Sequence, residues 1–142
     1  MVNLNAKGPF FAVQKLTLLM NQGGAVVLTT SIANIKGMPL IAAYGGANAT
    51  LRSFARMFAA ELLPRGIPVN AVSPSPTETP IIGKAFPNKD VAAQLMEQMT
   101  EAIPMKRFGT AEEVAKAVLF LAFDATFTTG TELPVDGGWS QL

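Results

Sequence analysis

At 142 residues the chain is long enough for one domain that buries roughly two-thirds of its unfolded surface. It is 49% hydrophobic and only 15% charged, with a net charge of +1 and a mean hydropathy of +0.32, so a large apolar surface must be covered by partner subunits or by a part of the fold that the sequence lacks. With no cysteine and no histidine, disulfides, thiolate chemistry, histidine triads and nearly all common zinc sites are excluded, and no metal is expected. No basic cluster offers a footprint for nucleic acid.

From Pro9 onward Phe10, Val13, Leu16 and Leu19 recur at helical spacing until Gly23 and Gly24 stop the run, which predicts an amphipathic helix. "AVVLTT", residues 25–30, is a short, nearly continuous apolar run, the pattern of a parallel strand covered on both faces. Tyr44, Ala47, Leu51, Phe54, Phe58 and Leu62 mark a second long helix, ended by Pro64 and Gly66. "IPVNAV", residues 67–72, reads as the next strand, and the proline-rich "SPSPTETP" follows as a loop at its carboxyl end.

Asp90 is the cap candidate for an amphipathic flap carrying Val91, Leu95, Met96 and Met99, closed by Pro104. Thr110 and Glu113 have the spacing of a capping box ahead of Val114, Val118 and Leu121. "ELPVDGG", residues 132–138, predicts a strand and a turn. Strands alternating with helices in this order describe crossover units of a doubly wound α/β sheet. No glycine-rich G-x-G-x-x-G loop joins a strand to a helix. No apolar run reaches the ~18 residues of a bilayer span, and the first residues form no signal peptide, so a cytoplasmic chain without a membrane partner is expected.

Four features stand together: "NAKG" at Asn5, Ser31 just after a strand, Tyr44 thirteen residues on, and "NAVSPSPTETP" after the next strand. With "RFGTAEEVAKAVLFLA" and the terminal "VDGG", the chain resembles the short-chain dehydrogenase/reductase (SDR) family, specifically its carboxyl-terminal portion. The resemblance implies a Rossmann-like doubly wound parallel sheet, here about three strands with flanking helices. It makes residues 1–142 a single partial NAD(P)-binding domain without the amino-terminal cofactor-binding strands. The first strand would then be an exposed hydrophobic edge.

The same resemblance implies roles. Asn5 would hold a structural water in a proton relay, Ser31 would polarise the substrate carbonyl, and Tyr44 would be general acid in reduction and general base in oxidation. Pro74 and the backbone N–H of Thr77 would lie against the nicotinamide end of NAD or NADP, and Thr79 near the nicotinamide amide or the pyrophosphate. Ser75 stands where the family has a glycine, which predicts crowding of the backbone against the cofactor.

Asn48 stands where the family's Tyr-x-x-x-Lys pattern has its lysine. Tyrosine and lysine at i and i+4 share a helix face; the lysine's charge lowers the tyrosine pKa and its ammonium holds the nicotinamide ribose. Asparagine can donate hydrogen bonds but brings no charge, so proton transfer is expected to be impaired on the order of 10² to 10⁴.

Each residue also has a plainer reading. Tyr44 alone is a core or interface residue, Ser31 a turn residue after a strand, Asn5 a helix-cap candidate, and Asn48 a solvent-facing helix residue. Two functions stay open: an SDR-type oxidoreductase acting on a small carbonyl or alcohol, impaired in this chain, or a non-catalytic SDR portion acting as an assembly module. Either way a homo-oligomer or a complementing SDR subunit is the expected partner.

Overall fold

The computed structural model describes residues 1–81, 84 and 88–142. Three parallel strands, β1 (Val26–Thr29), β2 (Val69–Pro74) and β3 (Glu132–Val135), form one sheet in the order β1-β2-β3. Val26 pairs with Val69 and Thr29 with Val72 across the first ladder; Ala71 pairs with Glu132 and Pro74 with Val135 across the second. All three strands are parallel, so the connections must cross over the sheet, and helices supply them.

Because successive side chains of a strand point to opposite faces, β2 serves two cores. Val69 and Ala71 meet α1 (Gly8–Leu16) and α2 (Ala42–Leu62) through Val13, Leu51, Ala55, Phe58 and Leu62. Val72 faces the other way, onto α4 (Ala111–Leu119) and the π-helical turn Phe120–Asp124, where Leu121 and Ala125 are buried. A fully buried Val, Leu or Phe side chain contributes about 1.5–3 kcal/mol, so this central strand ties both helical layers together. On the first face Phe10 of α1 packs on Phe54 and Phe58 of α2, with ring centroids 4.9 and 5.4 Å apart.

The strands are shorter or shifted relative to the sequence reading: Val26 to Thr29 against residues 25–30, and Val69 to Pro74 against 67–72. Pro68 explains the second shift, since it lacks an N–H for the ladder and only its carbonyl takes part, accepting from Val26 N–H at 2.9 Å. The expectation that residues 25–30 are covered on both faces holds in part: Val26 and Leu28 pack into the core with α1 and α2, and Val27 packs against the opposite core of Val72 and Leu121. Within β1 only Leu28 is buried, and among the described residues β2 is its one strand neighbour. The other side is the open edge expected from the sequence.

The helix boundaries follow local chemistry. The helix predicted from Pro9 is two pieces, α1 and a 3₁₀ turn Thr17–Leu19, and a π-helical turn Asn3–Lys7 precedes it. Helix α2 passes into a 3₁₀ turn Leu63–Arg65, ended by Gly66 in the left-handed region at φ 64°. The flap helix α3 is Lys89–Ala102, and its cap is Asn88, not Asp90: the Asn88 Oδ1 accepts from the N–H groups of Asp90 and Val91 at 2.9 and 3.3 Å. An amide and a carboxylate two residues apart both suit a cap, and the backbone bends at the first. At α4 the capping box forms as expected. Among the described residues no helix is long and apolar enough to cross a membrane.

Candidate active site

Ser31 leaves β1 in extended backbone and caps the 3₁₀ turn Ile32–Asn34, its Oγ accepting from Ala33 N–H at 3.3 Å. Eleven residues after Ser31 α2 begins, with Tyr44 in its first turn. Gly45 brings the two segments together: a Cβ there would sit 2.7 Å from the Ala33 carbonyl oxygen, closer than carbon and oxygen can approach. Absence of a side chain at position 45 thus sets how near Tyr44 comes to the turn that carries Ser31.

The third wall is the loop after β2. Ser75 N–H donates to Val135 O at 3.1 Å, and Gly109 is stitched to the loop by two bonds, Gly109 N–H to Pro76 O at 3.1 Å and Glu78 N–H to Gly109 O at 2.9 Å. Thr77 Oγ1 folds back to donate to Ser75 O at 2.9 Å. Among described residues other than glycine, positive φ occurs at Leu40 and Lys106, so Ser75 carries no left-handed strain.

These walls enclose a cleft of about 370 Å³ at the carboxyl ends of the strands, the place where open parallel sheets bind ligands. Ser31, Tyr44, Pro74, Thr77 and Thr79 all line it, joined by Met99 of α3 and by Trp139 beyond β3. Five of the seven residues that the family resemblance implied thus line one cavity. Asn5 and Asn48 do not line it.

Asn48 is buried, 2% exposed, which corrects the reading of a solvent-facing residue. Its Nδ2 donates to the backbone carbonyl of Tyr44 at 2.9 Å. This is the local back-bond to i−4 that short polar side chains make within helices. Asn5 sits in the π-helical turn Asn3–Lys7, which packs against α2. Such turns are rare and mark places where a helix ladder opens.

A polar cluster unforeseen in the sequence backs the Ser31 turn. Glu132 Oε1 accepts from Thr30 Oγ1 at 2.5 Å and from Asn34 Nδ2 at 2.6 Å, while Glu132 Oε2 lies 3.5 Å from Arg52 Nε. The two charged side chains are 10% and 12% exposed. Burial, then the neighbouring Arg56, lower the Arg52 pKa, and Glu132 opposes them. Arg52 also donates to Gly130 O at 2.9 Å, while its other terminal nitrogen has no partner among the described residues. The only signal in the sequence was a carboxylate opening an apolar strand, "ELPV".

Trp139 is placed by Asp136. Burial would raise the Asp136 carboxyl, but donors from Ser140 Oγ, Ser140 N–H and Gly138 N–H outweigh it and hold it below the usual range. Gly137 at φ 61° permits the turn, and a Cβ there would strike Ile103 at 2.8 Å. Lys36 Nζ donates to Trp139 O at 3.2 Å and lies 5.6 Å from the ring centroid.

The residues fit one end of a nicotinamide dinucleotide. Hydroxyls and a half-buried loop beside Ser31 and Tyr44 suit a flat ring with a carboxamide. No glycine-rich phosphate cradle occurs in the sequence, so the pyrophosphate end has no counterpart in these residues.

Residues 1–140 match the family model described as enoyl-(acyl carrier protein) reductase. The chain is 37% identical over 141 residues to "Oxidoreductase asL5" of Sarocladium schorii, covering 97% of this chain and 55% of that protein. It superposes on a short chain dehydrogenase family protein of Francisella tularensis with a TM-score of 0.90, covering 99% of this chain and 61% of that one, at 24% identity, a likeness of fold alone. Against the Pseudomonas aeruginosa RhlG/NADP active-site complex the TM-score is 0.83 at 30% identity, covering 98% and 56%. The chain spans about half the length of the curated relatives it matches. Strand order, cavity position, motif spacing and a family match over nearly every residue agree, and the chain belongs to the short-chain dehydrogenase/reductase family of oxidoreductases, carrying its carboxyl-terminal portion.

Proposed function

We infer that the cavity is the substrate and proton-transfer half of an NAD(P)-dependent carbonyl reductase or alcohol dehydrogenase site. The observation that carries this reading is the opening of Ser31 and Tyr44 onto one cleft with Pro74, Thr77 and Thr79. A nicotinamide cofactor held against Pro74, Thr77 and Thr79 would supply the hydride that the carbonyl carbon accepts in reduction. The Ser31 hydroxyl donates a hydrogen bond to the carbonyl oxygen, and Tyr44 gives up its phenolic proton to that oxygen as the C–O π bond breaks. In oxidation the tyrosinate accepts the proton back. Thr77 and Thr79 would hold the carboxamide end of the cofactor, and Asn5 the water that returns a proton to Tyr44.

Asn48 leaves the tyrosinate without a neighbouring cation on its own helix, so turnover is expected to be lower by about 10² to 10⁴ than with lysine. RhlG was solved with NADP, which makes NADPH as worthy of trial here as NADH. The test uses the single tryptophan, Trp139, on the cavity wall. NADH or NADPH titrated into the folded chain should quench Trp139 and give saturable sensitised nicotinamide emission. Absence of energy transfer up to millimolar cofactor would sink the enzymatic reading.

One observation favours a second reading, a non-catalytic assembly module. Beside the open edge of β1 lies an apolar groove of about 370 Å³, bordered by Val13, Leu16 and Met20 and by Val26 and Leu28. An unpaired parallel strand next to such a groove is a template for another strand. The partner would be a second copy of the chain or a complementing SDR subunit, and sedimentation of the purified chain tests it: a monomer at all concentrations would exclude the homo-oligomer.

A further inference from the structure

The geometry points to an uncharged, predominantly apolar ketone or secondary alcohol as the substrate of the cavity, with keto acids and other anionic carbonyls rejected. This rests on the reading of the cavity as a carbonyl site.

The polar groups on the wall are neutral hydroxyls, those of Ser31, Tyr44, Thr77 and Thr79 among them, and no charged side chain lines the cleft among the described residues. The rest of the surface is Ile32, Met38, Ile41, Ile81, Met99 and Trp139, with small residues and prolines between them. Positions 82, 83 and 85–87 are Ile, Gly, Ala, Phe and Pro and carry no charge in the sequence.

Lys84, in the same segment, is exposed and is not among the residues that line the cleft, and neither are Lys36, Glu78 and Glu132. Lys36 is tied to the Trp139 carbonyl. Glu78, whose N–H donates to Gly109 O, is exposed outside the cleft. Glu132 stands directly behind the cavity residue Thr30 and takes the hydroxyl proton, since Thr30 Oγ1 is 2.5 Å from Glu132 Oε1 and 3.1 Å from Val72 O. Thr30 therefore presents no donor to a ligand, and the carboxylate behind it is already balanced by Arg52, 3.5 Å away. An ionised ligand group loses its water on entering such a site and finds no countercharge. An alkyl or aryl substituent instead gains contact with methionine and tryptophan, which adapt to irregular apolar shapes.

A matched pair of probes tests this: benzylacetone and 2-oxo-4-phenylbutanoate differ by a methyl in place of a carboxylate. Trp139 emission, excited selectively, should respond saturably to benzylacetone at a concentration lower by about tenfold or more than to the keto acid. Met99→Lys, at a half-buried position of α3, should narrow or invert that ratio by supplying the missing cation. Equal or tighter response to the keto acid in the parent chain, or no response to either compound with and without NADH, overturns the inference. So does a Met99→Lys chain, folded by circular dichroism, whose preference is unchanged. A preference for the ketone in a chain that binds no nicotinamide supports the substrate class while sinking the redox reading. NADH binding combined with keto-acid preference does the reverse.

Discussion

Asn48 and Tyr44 are joined by a hydrogen bond that involves neither residue's expected chemistry: the Asn48 amide donates to the Tyr44 backbone carbonyl at 2.9 Å, one turn back along α2. A lysine at position 48 is too long and too strongly hydrated to fold back in this way. At i+4 on the same helix face, its ammonium would come within reach of the Tyr44 side chain. Asn48→Lys should therefore move the tyrosinate absorbance titration to lower pH than in the parent chain. The readout is unambiguous because Tyr44 is the only tyrosine. A titration curve that does not move would show that position 48 does not reach the phenol.

Glu132 and Arg52 join β3 to α2 beneath the Ser31 turn. Glu132→Leu should cost about 2–4 kcal/mol in urea unfolding, because it strands a largely buried guanidinium and frees Thr30 and Asn34. Replacing both, Glu132→Leu with Arg52→Met, should recover much of that loss. A double variant as unstable as the single would mean the network acts through its hydrogen bonds to Thr30 and Asn34, and not through the ion pair.

Adjacent glycines make opposite predictions. Gly45→Ala introduces a Cβ at 2.7 Å from Ala33 O and should destabilise by about 1–3 kcal/mol through displacement of the Ser31 turn. Gly46→Ala meets nothing within 4 Å and should stabilise by about 0.5–1 kcal/mol, since alanine restricts the unfolded chain and favours helix. Thermal melts of the two variants, compared side by side, test this.

Acid should loosen the chain at α4 and at the terminal turn. The Arg107 guanidinium, followed by the Thr110 N–H, holds the Glu113 carboxyl down from 4.5 to about 2. A depressed folded-state value means the contribution is present above the ordinary carboxylate range and is lost as pH falls through that window toward about 2. Asp136 is also lowered and shares the sign. Urea midpoints should be flat near neutrality and fall below about pH 4.5, with a shallower fall in Glu113→Gln. An unchanged acid limb in that variant would remove Glu113 from the account.

Thr110→Ala tests the same cap at neutral pH. It removes the acceptor for Glu113 N–H at 3.2 Å and should cost about 1 kcal/mol, read as a lowered melting temperature.

Much of this molecule is written in local pattern. Helical spacing from Tyr44 to Leu62 and the apolar runs "AVVLTT" and "IPVNAV" specify α2, β1 and β2, because period and length of apolar runs reflect which face is buried. The capping box at Thr110 was equally legible, since its partners lie three residues apart. Motif order brought Ser31, Tyr44, Pro74, Thr77 and Thr79 onto one cleft, because strand ends and the loops after them must gather at the carboxyl edge of a parallel sheet.

Other features depend on partners distant in the chain. Glu132 reads as a strand residue until the fold sets it against Thr30, Asn34 and Arg52, more than 70 residues away. Trp139 becomes a cavity wall only when the β3 turn packs beside α3. Asn48 was visible as a missing charge, but whether it faces water or the interior is decided by the packing of α2 on the sheet. The sequence by itself determined which elements form and in what order, through local propensity and periodicity. The tertiary structure alone decided which polar groups are buried, who satisfies them and what lines the cavity, because those depend on desolvation and on contacts between residues that the sequence keeps apart.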